Sequence, residues 1–222
     1  MLSFLVKRYI KKRAKISNRI CPQDIEDMLA KEVQEYKDKS KKIIFTWLWD
    51  CGGRTPNASA TIPGIILINA EWAARIVLFP DDGDMHNAFR LTMGHELTHQ
   101  ENDYFFLEPF TKNEKFVYWV NEVHADFGGI VKAFDGNIKQ GLRAMEYKRK
   151  GKIREDKDTF MHPSWERRMR FVSEYDFGAN LIREIANIVG CKNDYLIEKV
   201  INHYDEIILC KALQKKGKGK GE

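Results

Sequence analysis

The segment His95-Glu96-Leu97-Thr98-His99 constrains the fold more than any other stretch of this 222-residue chain. On an α-helix, residues four apart leave the same face one turn apart, so its two imidazoles can bind one metal ion together. Glu96 would then lie beside the metal, placed to take a proton from a water that the metal activates. The pentapeptide therefore predicts a hydrolytic zinc site on a helix.

The flanking residues indicate that both histidines lie in the middle of a helix. Asp84 is a candidate N-cap, and no proline interrupts the segment from Met85 to Gln100. Apolar residues recur along this segment at Phe89, Leu91, Met93 and Leu97. Such a short motif also arises by chance, so the alternative is a buried helix with two histidines in ordinary contacts.

A third metal ligand is expected downstream, because a catalytic zinc usually takes three protein ligands and leaves one position open. Glu122 is the candidate, in the segment Asn121-Glu122-Val123-His124-Ala125-Asp126. Asp126, one turn later, could accept a hydrogen bond from a ligand imidazole and fix its tautomer. Helix geometry points His124 away from these carboxylates, as a surface or structural residue. The alternative for Glu122 is a solvated helix carboxylate.

Strand and helix signals on either side of the histidines indicate the fold class. Ile43 to Trp49 and Ile65 to Ile68 are rich in β-branched or aromatic residues and adjoin Gly- or Pro-containing turns. Asn113 to Phe134 has helical spacing, although Gly128-Gly129 weakens its later part. The sequence predicts an α+β fold, mostly helical, with a small mixed β-sheet beside the helix that carries both histidines.

The C-terminal half of the chain is expected to be helical, apart from one charged loop. Residues 148–157 are predicted to form a solvated loop. Ser164 is expected to cap a single long helix that ends near Gly190, and Asn193 to cap a last helix that continues to about Leu213.

Composition and cysteine spacing favour a soluble cytoplasmic protein. No apolar run approaches the roughly 20 residues that cross a bilayer, and the first residues do not have the pattern of a signal peptide. The four cysteines are widely spaced and form no Cys-x-x-Cys pair, which is typical of reduced thiols rather than a disulfide framework.

The net charge of +5 is concentrated at the two ends of the chain. Residues 1–19 carry seven Lys or Arg and no acid, and residues 211–222 carry five Lys and one Glu, which leaves the middle near −6. Basic ends of this kind could contact nucleic acid or an anionic membrane surface. The alternative is that both ends are solvated segments without a specific partner.

Four motifs, taken in order along the chain, resemble one protein family. Glu122-x-x-Ala125-Asp126 after His95-Glu96-x-x-His99 resembles the gluzincin metallopeptidases, in particular the CAAX prenyl protease and heat-shock membrane peptidase group and its soluble relatives, the minigluzincins. Asn57 to Ile68 resembles the Asn-Ala…Pro-Gly strand of that group, and His162 to Met169 resembles its His-Pro…Arg motif, with Arg168 at the arginine position. The resemblance spans about residues 55–175.

The resemblance implies a zincin-like catalytic domain at residues 41–178 with one Zn²⁺ per chain. Helices predicted at 1–15 and 22–37 would form an N-terminal helical extension at 1–40. Residues 179–222 would be a C-terminal helical extension with a basic, disordered tail. Because the transmembrane helices of the membrane members are lacking, a soluble peptide or unfolded protein is the expected substrate.

The remaining roles in peptide hydrolysis are assigned to residues around the metal. Glu96 is expected to act as general base and then general acid, and His162 to donate to the oxyanion. Arg168 would donate to the oxyanion, anchor an acidic residue such as Asp126, or form a structural salt bridge. Substrate backbone would be held by Ile65, Ile66, Leu67 and Ile68, if this strand is an exposed sheet edge rather than an interior strand.

Three functions are compatible with these features. The first is a soluble zinc metalloendopeptidase that uses a metal-activated water. The second is a non-catalytic, zinc-stabilised binding protein, against which the presence of Glu96 argues. The third is a DNA-associated regulatory metallopeptidase that is brought to its substrate by its basic termini.

Overall fold

The computed structural model of the chain describes residues 45–49, 58–62, 65–69, 72, 75, 76, 79, 81–103, 114–151 and 156–218. The helices predicted at residues 1–15 and 22–37 lie outside this set. Among the described residues, no helix combines the length and the apolar character needed to cross a membrane.

Three strands and six helices make up the described part of the chain, which is therefore α+β and mostly helical, as predicted. The strands are β1 (Phe45–Trp49), β2 (Ala58–Ile62) and β3 (Ile65–Asn69). The helices are α1 (Gly83–Asn102), α2 (Glu114–Phe134), α3 (Ile138–Lys150), α4 (Trp165–Glu174), α5 (Ala179–Val189) and α6 (Asp194–Lys218).

Strand β3 lies in the centre of the sheet, in the order β1-β3-β2. It pairs in parallel with β1 and antiparallel with β2, so the sheet is mixed. Ile66 and Ile68 are fully buried, whereas Leu67 is half-buried, as expected for a strand with one face on the core. The substrate strand predicted at Ile65 to Ile68 required an exposed sheet edge. The described sheet does not meet that condition, because β3 is paired on both sides. Substrate binding by these four residues stays a prediction.

The chain divides into two compact units, and the division falls inside α2, between His124 and Ala125. In the first unit are the three strands, α1 up to Glu101, the second part of α2, and α3. Its buried side chains include Phe89, Leu97, Ile130 and Met145. The second unit contains the first part of α2 together with α4, α5 and α6, and it buries Trp119, Phe171, Ile185 and Tyr204. The domain boundaries at residues 40 and 178 stay a prediction.

Three glycines bring the backbones of α1 and α2 into direct contact. A Cβ atom on Gly94 would lie 2.9 Å from the carbonyl oxygen of Gly129, and one on Gly129 would lie 3.0 Å from the backbone nitrogen of His95. A Cβ on Gly128 would overlap the side chain of Thr98. Gly128-Gly129 therefore does not end α2, which continues to Phe134; these glycines let α2 approach α1 closely.

We expect Gly94→Ala to lower the free energy of unfolding by about 1–3 kcal/mol, because the added methyl group meets backbone that cannot move aside. Alanine's better helix propensity recovers at most about 1 kcal/mol. Urea denaturation measures the change. Gly83→Ala is the matched control on the same helix, since a Cβ there meets nothing within 4 Å. Equal stabilities for the two variants would contradict the close contact.

The helices after α2 differ from the prediction in two places. Residues 148–150 belong to α3 rather than to a solvated loop, and Lys148 is buried. Ser164 caps α4 by accepting from the backbone nitrogen of Arg167, but α4 ends at Glu174 and α5 begins at Ala179. Phe177 lies in this break, and its ring contacts those of His124 and Tyr204, at centroid distances of 4.8 and 5.2 Å.

Candidate metal centre

His95 is held in one orientation by a carboxylate on the neighbouring helix. Its Nδ1 lies 3.0 Å from Oδ1 of Asp126, and both side chains are buried. Because a carboxylate only accepts hydrogen bonds, Nδ1 carries the proton and donates it. This leaves Nε2 of His95 as the nitrogen that can bind a metal. The close contact at Gly94 and Gly129 brings the two helices together beside this pair.

The second histidine presents its nitrogen to the same point. The Nε2 atoms of His95 and His99 are 3.0 Å apart, and their rings meet nearly at right angles, at 83°. Two nitrogens bound to a tetrahedral zinc at about 2.0–2.1 Å lie about 3.4 Å apart. The two imidazoles are therefore arranged, within a few tenths of an ångström, as a pair of zinc ligands.

Glu122 completes the group of candidate ligands. It lies one turn before Asp126 on the same helix, so its side chain leaves the helix face that meets His95. His95, His99 and Glu122 each offer one ligand atom, and these atoms all lie within 4.8 Å of one another. Two imidazole nitrogens with one carboxylate oxygen form a donor set that suits zinc and leaves a fourth position for water. The residues present fit a zinc ion.

Glu96 is buried, at 8% exposure, beside the two histidines on α1. It follows His95 directly and precedes His99 by three residues, which on a helix places it about 60° around the axis from His99. A carboxylate in that position can reach a water bound between the histidines.

The carboxylate of Glu122 also contacts His162, the residue assigned to the oxyanion, and Arg168, for which three roles were considered. Nε2 of His162 lies 3.3 Å from Oε1 of Glu122, and Nη1 of Arg168 lies 3.2 Å from Oε2. Arg168 is buried, with its guanidinium 4.3 Å from the centre of the Trp165 ring, whereas the His162 side chain is 51% exposed. Among the roles considered for Arg168, the structure shows an ion pair to an acidic residue, and that residue is Glu122.

The turn that carries His162 is anchored by backbone contacts. The carbonyl oxygen of His162 accepts from the backbone nitrogen of Thr159, at 2.8 Å, and the backbone nitrogen of His162 donates to Oγ1 of Thr159, at 2.9 Å. Nε1 of Trp119, on α2, donates to the carbonyl oxygen of Thr159. The turn is therefore closed on itself and tied to the helix that carries Glu122.

Asp158 fastens the same turn to the start of α4. Its carboxylate accepts from the backbone nitrogen of Ser164, at 2.8 Å, and from Nε of Arg167. Partial burial raises the pKa of the Asp158 carboxyl, but these hydrogen bonds outweigh it, so the pKa lies below its ordinary value. A lowered pKa means that the folded state favours the ionised carboxylate. The stability that Asp158 contributes is present above the unfolded-state pKa and is lost only as pH falls through the lowered one.

Two threonines of α1 and the lysines that bind them were missed from the sequence. Thr98 donates to the carbonyl oxygen of Gly94 and accepts from Lys132, which also pairs with Glu101 at 2.9 Å. In the same way, Thr92 accepts from Lys148 at 2.6 Å. Lys148 is buried and Lys132 is half-buried, and both bind threonines of α1. The sequence carries no signal for these pairs, because they depend on contacts between helices.

His124 is buried, which agrees with the structural rather than the surface alternative. It is 5% exposed, and its ring lies 4.5 Å from that of Tyr204. The hydroxyl of Tyr204 donates to Oδ1 of Asn121, at 2.6 Å. The residues on either side of Glu122 on α2 are therefore held by α6, and His124 is a structural residue.

Three comparisons with known proteins, against family models, curated sequences and solved structures, found no match to this chain. The resemblance of its four motifs to the gluzincins stays a prediction from the sequence.

We expect Asp126→Asn to weaken zinc binding by about 10- to 100-fold, because an amide carries no charge to raise the basicity of the His95 imidazole. Competition with a chromogenic chelator measures the affinity. Asp135→Asn, an exposed position just after α2, is the matched control. An unchanged affinity in Asp126→Asn would contradict the role given to this carboxylate.

Proposed function

We propose that this chain is a zinc-dependent endopeptidase with a zincin-like catalytic domain of the gluzincin type. The observation that carries the proposal is the group of His95, His99 and Glu122 within 4.8 Å, with the carboxylate of Glu96 buried on the same helix. A purely structural metal site does not need Glu96, which favours an enzyme over a zinc-stabilised binding protein.

A zinc ion bound to these three residues would lower the pKa of a water and polarise the scissile carbonyl. Glu96 takes the proton from the attacking water and passes it to the leaving amine. Asp126 keeps the proton of His95 on Nδ1, so that Nε2 stays available. His162, which is half-exposed and reaches Glu122, is the proposed donor to the oxyanion, and Arg168 holds the Glu122 carboxylate in place.

Strand β2 replaces β3 as the proposed docking site for the substrate backbone. In the described sheet β2 is an outer strand, and Gln100, the residue after His99, donates through Nε2 to the carbonyl oxygen of Ala60 at 2.8 Å. An extended peptide added to β2 would therefore run beside the end of the helix that carries the histidines. Backbone pairing of this kind tolerates many side chains, which suits an unfolded protein as substrate.

The proposal is tested by incubating the zinc-loaded chain with unfolded casein and following the products by mass spectrometry. We expect peptide-bond cleavage that stops with a chelator and returns when zinc is restored. One bound zinc per chain without any cleavage would favour the binding protein. Salt-dependent DNA binding that is lost when residues 1–19 or 211–222 are removed would add the regulatory role.

A further inference from the structure

Two large apolar side chains are exposed on the turn that carries His162. Phe160 is 54% exposed and Met161 is 49% exposed, and both precede His162 directly. Exposed apolar residues that stand singly on a surface need no explanation, but these two are adjacent on a turn held by hydrogen bonds and so form a small apolar patch. The bonds between Thr159 and His162 hold the turn closed around this pair.

The loop that carries His162 lies along α2 from Tyr118 to Glu122, and Glu122 is a proposed metal ligand. The Phe160 ring meets that of Tyr118 edge-on, with centroids 5.9 Å apart, and His162 reaches Glu122 at 3.3 Å. Tyr118 and Glu122 are four residues apart on α2 and so lie on one face of it. The rings of Tyr118 and Phe160 therefore meet on the side of α2 that presents the Glu122 carboxylate, and Met161 is the next residue along the turn.

We propose that Tyr118, Phe160 and Met161 form a subsite that binds one bulky apolar side chain of the peptide substrate, next to the scissile bond. This inference rests on the proposed function, and it adds a side-chain preference to a backbone-binding site. Aromatic rings and a methionine offer a large, adaptable apolar surface to such a side chain. A charged side chain would gain nothing there, since it would lose water without an opposite charge among these three residues.

Cleavage of unfolded casein gives the first test, with every cut site mapped by mass spectrometry. We expect one position beside the cut bond to be enriched in Phe, Leu, Met, Ile or Tyr. In the double variant Phe160→Ser with Met161→Ser, cleavage at these sites should fall on the order of 10-fold, while sites without an apolar residue are cut as before. Phe79→Ser is the matched control, because Phe79 is equally exposed, at 54%, in the other unit.

Peptide binding to the zinc-loaded Glu96→Gln protein gives the second test, which does not need hydrolysis. Two synthetic peptides that differ only by Phe or Ala at one position are compared by calorimetry, and we expect the Phe peptide to bind about 10-fold more tightly. The double variant should lose this difference while keeping its zinc content and thermal midpoint.

The possible outcomes separate the two proposals. Cleavage without an apolar preference, or with a preference that survives the double substitution, overturns the subsite and leaves the peptidase standing. A Phe preference in binding that depends on Phe160 and Met161, in a wild-type chain that never cleaves, supports the subsite and overturns the peptidase. Absence of both cleavage and preference overturns both.

Discussion

The variant Glu96→Gln should bind zinc as the wild-type chain does and hydrolyse peptides about 10²–10⁴-fold more slowly, since it loses only its proton acceptor. The amide has nearly the size of the carboxylate, so the buried site on α1 keeps its shape. Metal content by mass spectrometry and the rate of casein cleavage, taken on the same sample, provide the two measurements.

Glu101→Gln is the control for this experiment. It removes a carboxylate from the same helix, where Glu101 pairs with Lys132 on the far side of α1 from the histidines. We expect a modest loss of stability and an unchanged rate. If Glu96→Gln cleaved as fast as the control, Glu96 could not be the general base, and the proposed mechanism would fail.

Replacing His99 by Ala should reduce zinc affinity by more than about 100-fold, because it removes a direct ligand rather than a residue that orients one. Only two protein ligands would remain, a nitrogen of His95 and an oxygen of Glu122, whereas a catalytic zinc takes three. Hydrolysis should be lost at low zinc concentration. Titration with a competing chelator measures the affinity directly.

His86→Ala is the matched control, since His86 is a half-buried histidine more than three turns before His99 on the same helix. It should bind zinc with the wild-type affinity. Equal zinc affinities for the two variants would show that the metal, if bound, lies elsewhere than between His95 and His99.

The local part of the site could be predicted from the sequence, because it depends on helix periodicity. Spacings of four place His95 with His99 and Glu122 with Asp126 on single faces. The hydrogen bond from His95 to Asp126 needed one further condition, that the two helices touch, and the structure meets it. Zinc binding and hydrolysis stay predictions.

The parts that could not be predicted depend on contacts between distant segments. Nothing local to Ile65 to Ile68 tells a central strand from an edge strand, because that depends on the pairing with β1 and β2. The sequence also could not show which acidic residue Arg168 meets, and the placement of α4 brings it to Glu122. The break near Phe177 lies where its ring meets rings from α2 and α6. The hydrophobic periodicity of α4 and α5 carries no information about these contacts.

The contact between α1 and α2 constrains the number of residues that separate the two carboxylates of α2 from Gly129, as well as the identity of these residues. Gly129 lies three positions after Asp126 and seven after Glu122, and residues at these spacings lie on one face of a helix. The contact with α1 and the two carboxylates are therefore on the same side of α2. Each residue inserted between them would turn one set away from the other by about 100°. In any homologous chain that keeps this chemistry, we therefore expect point substitutions between Glu122 and Gly129 to be tolerated more readily than insertions or deletions there.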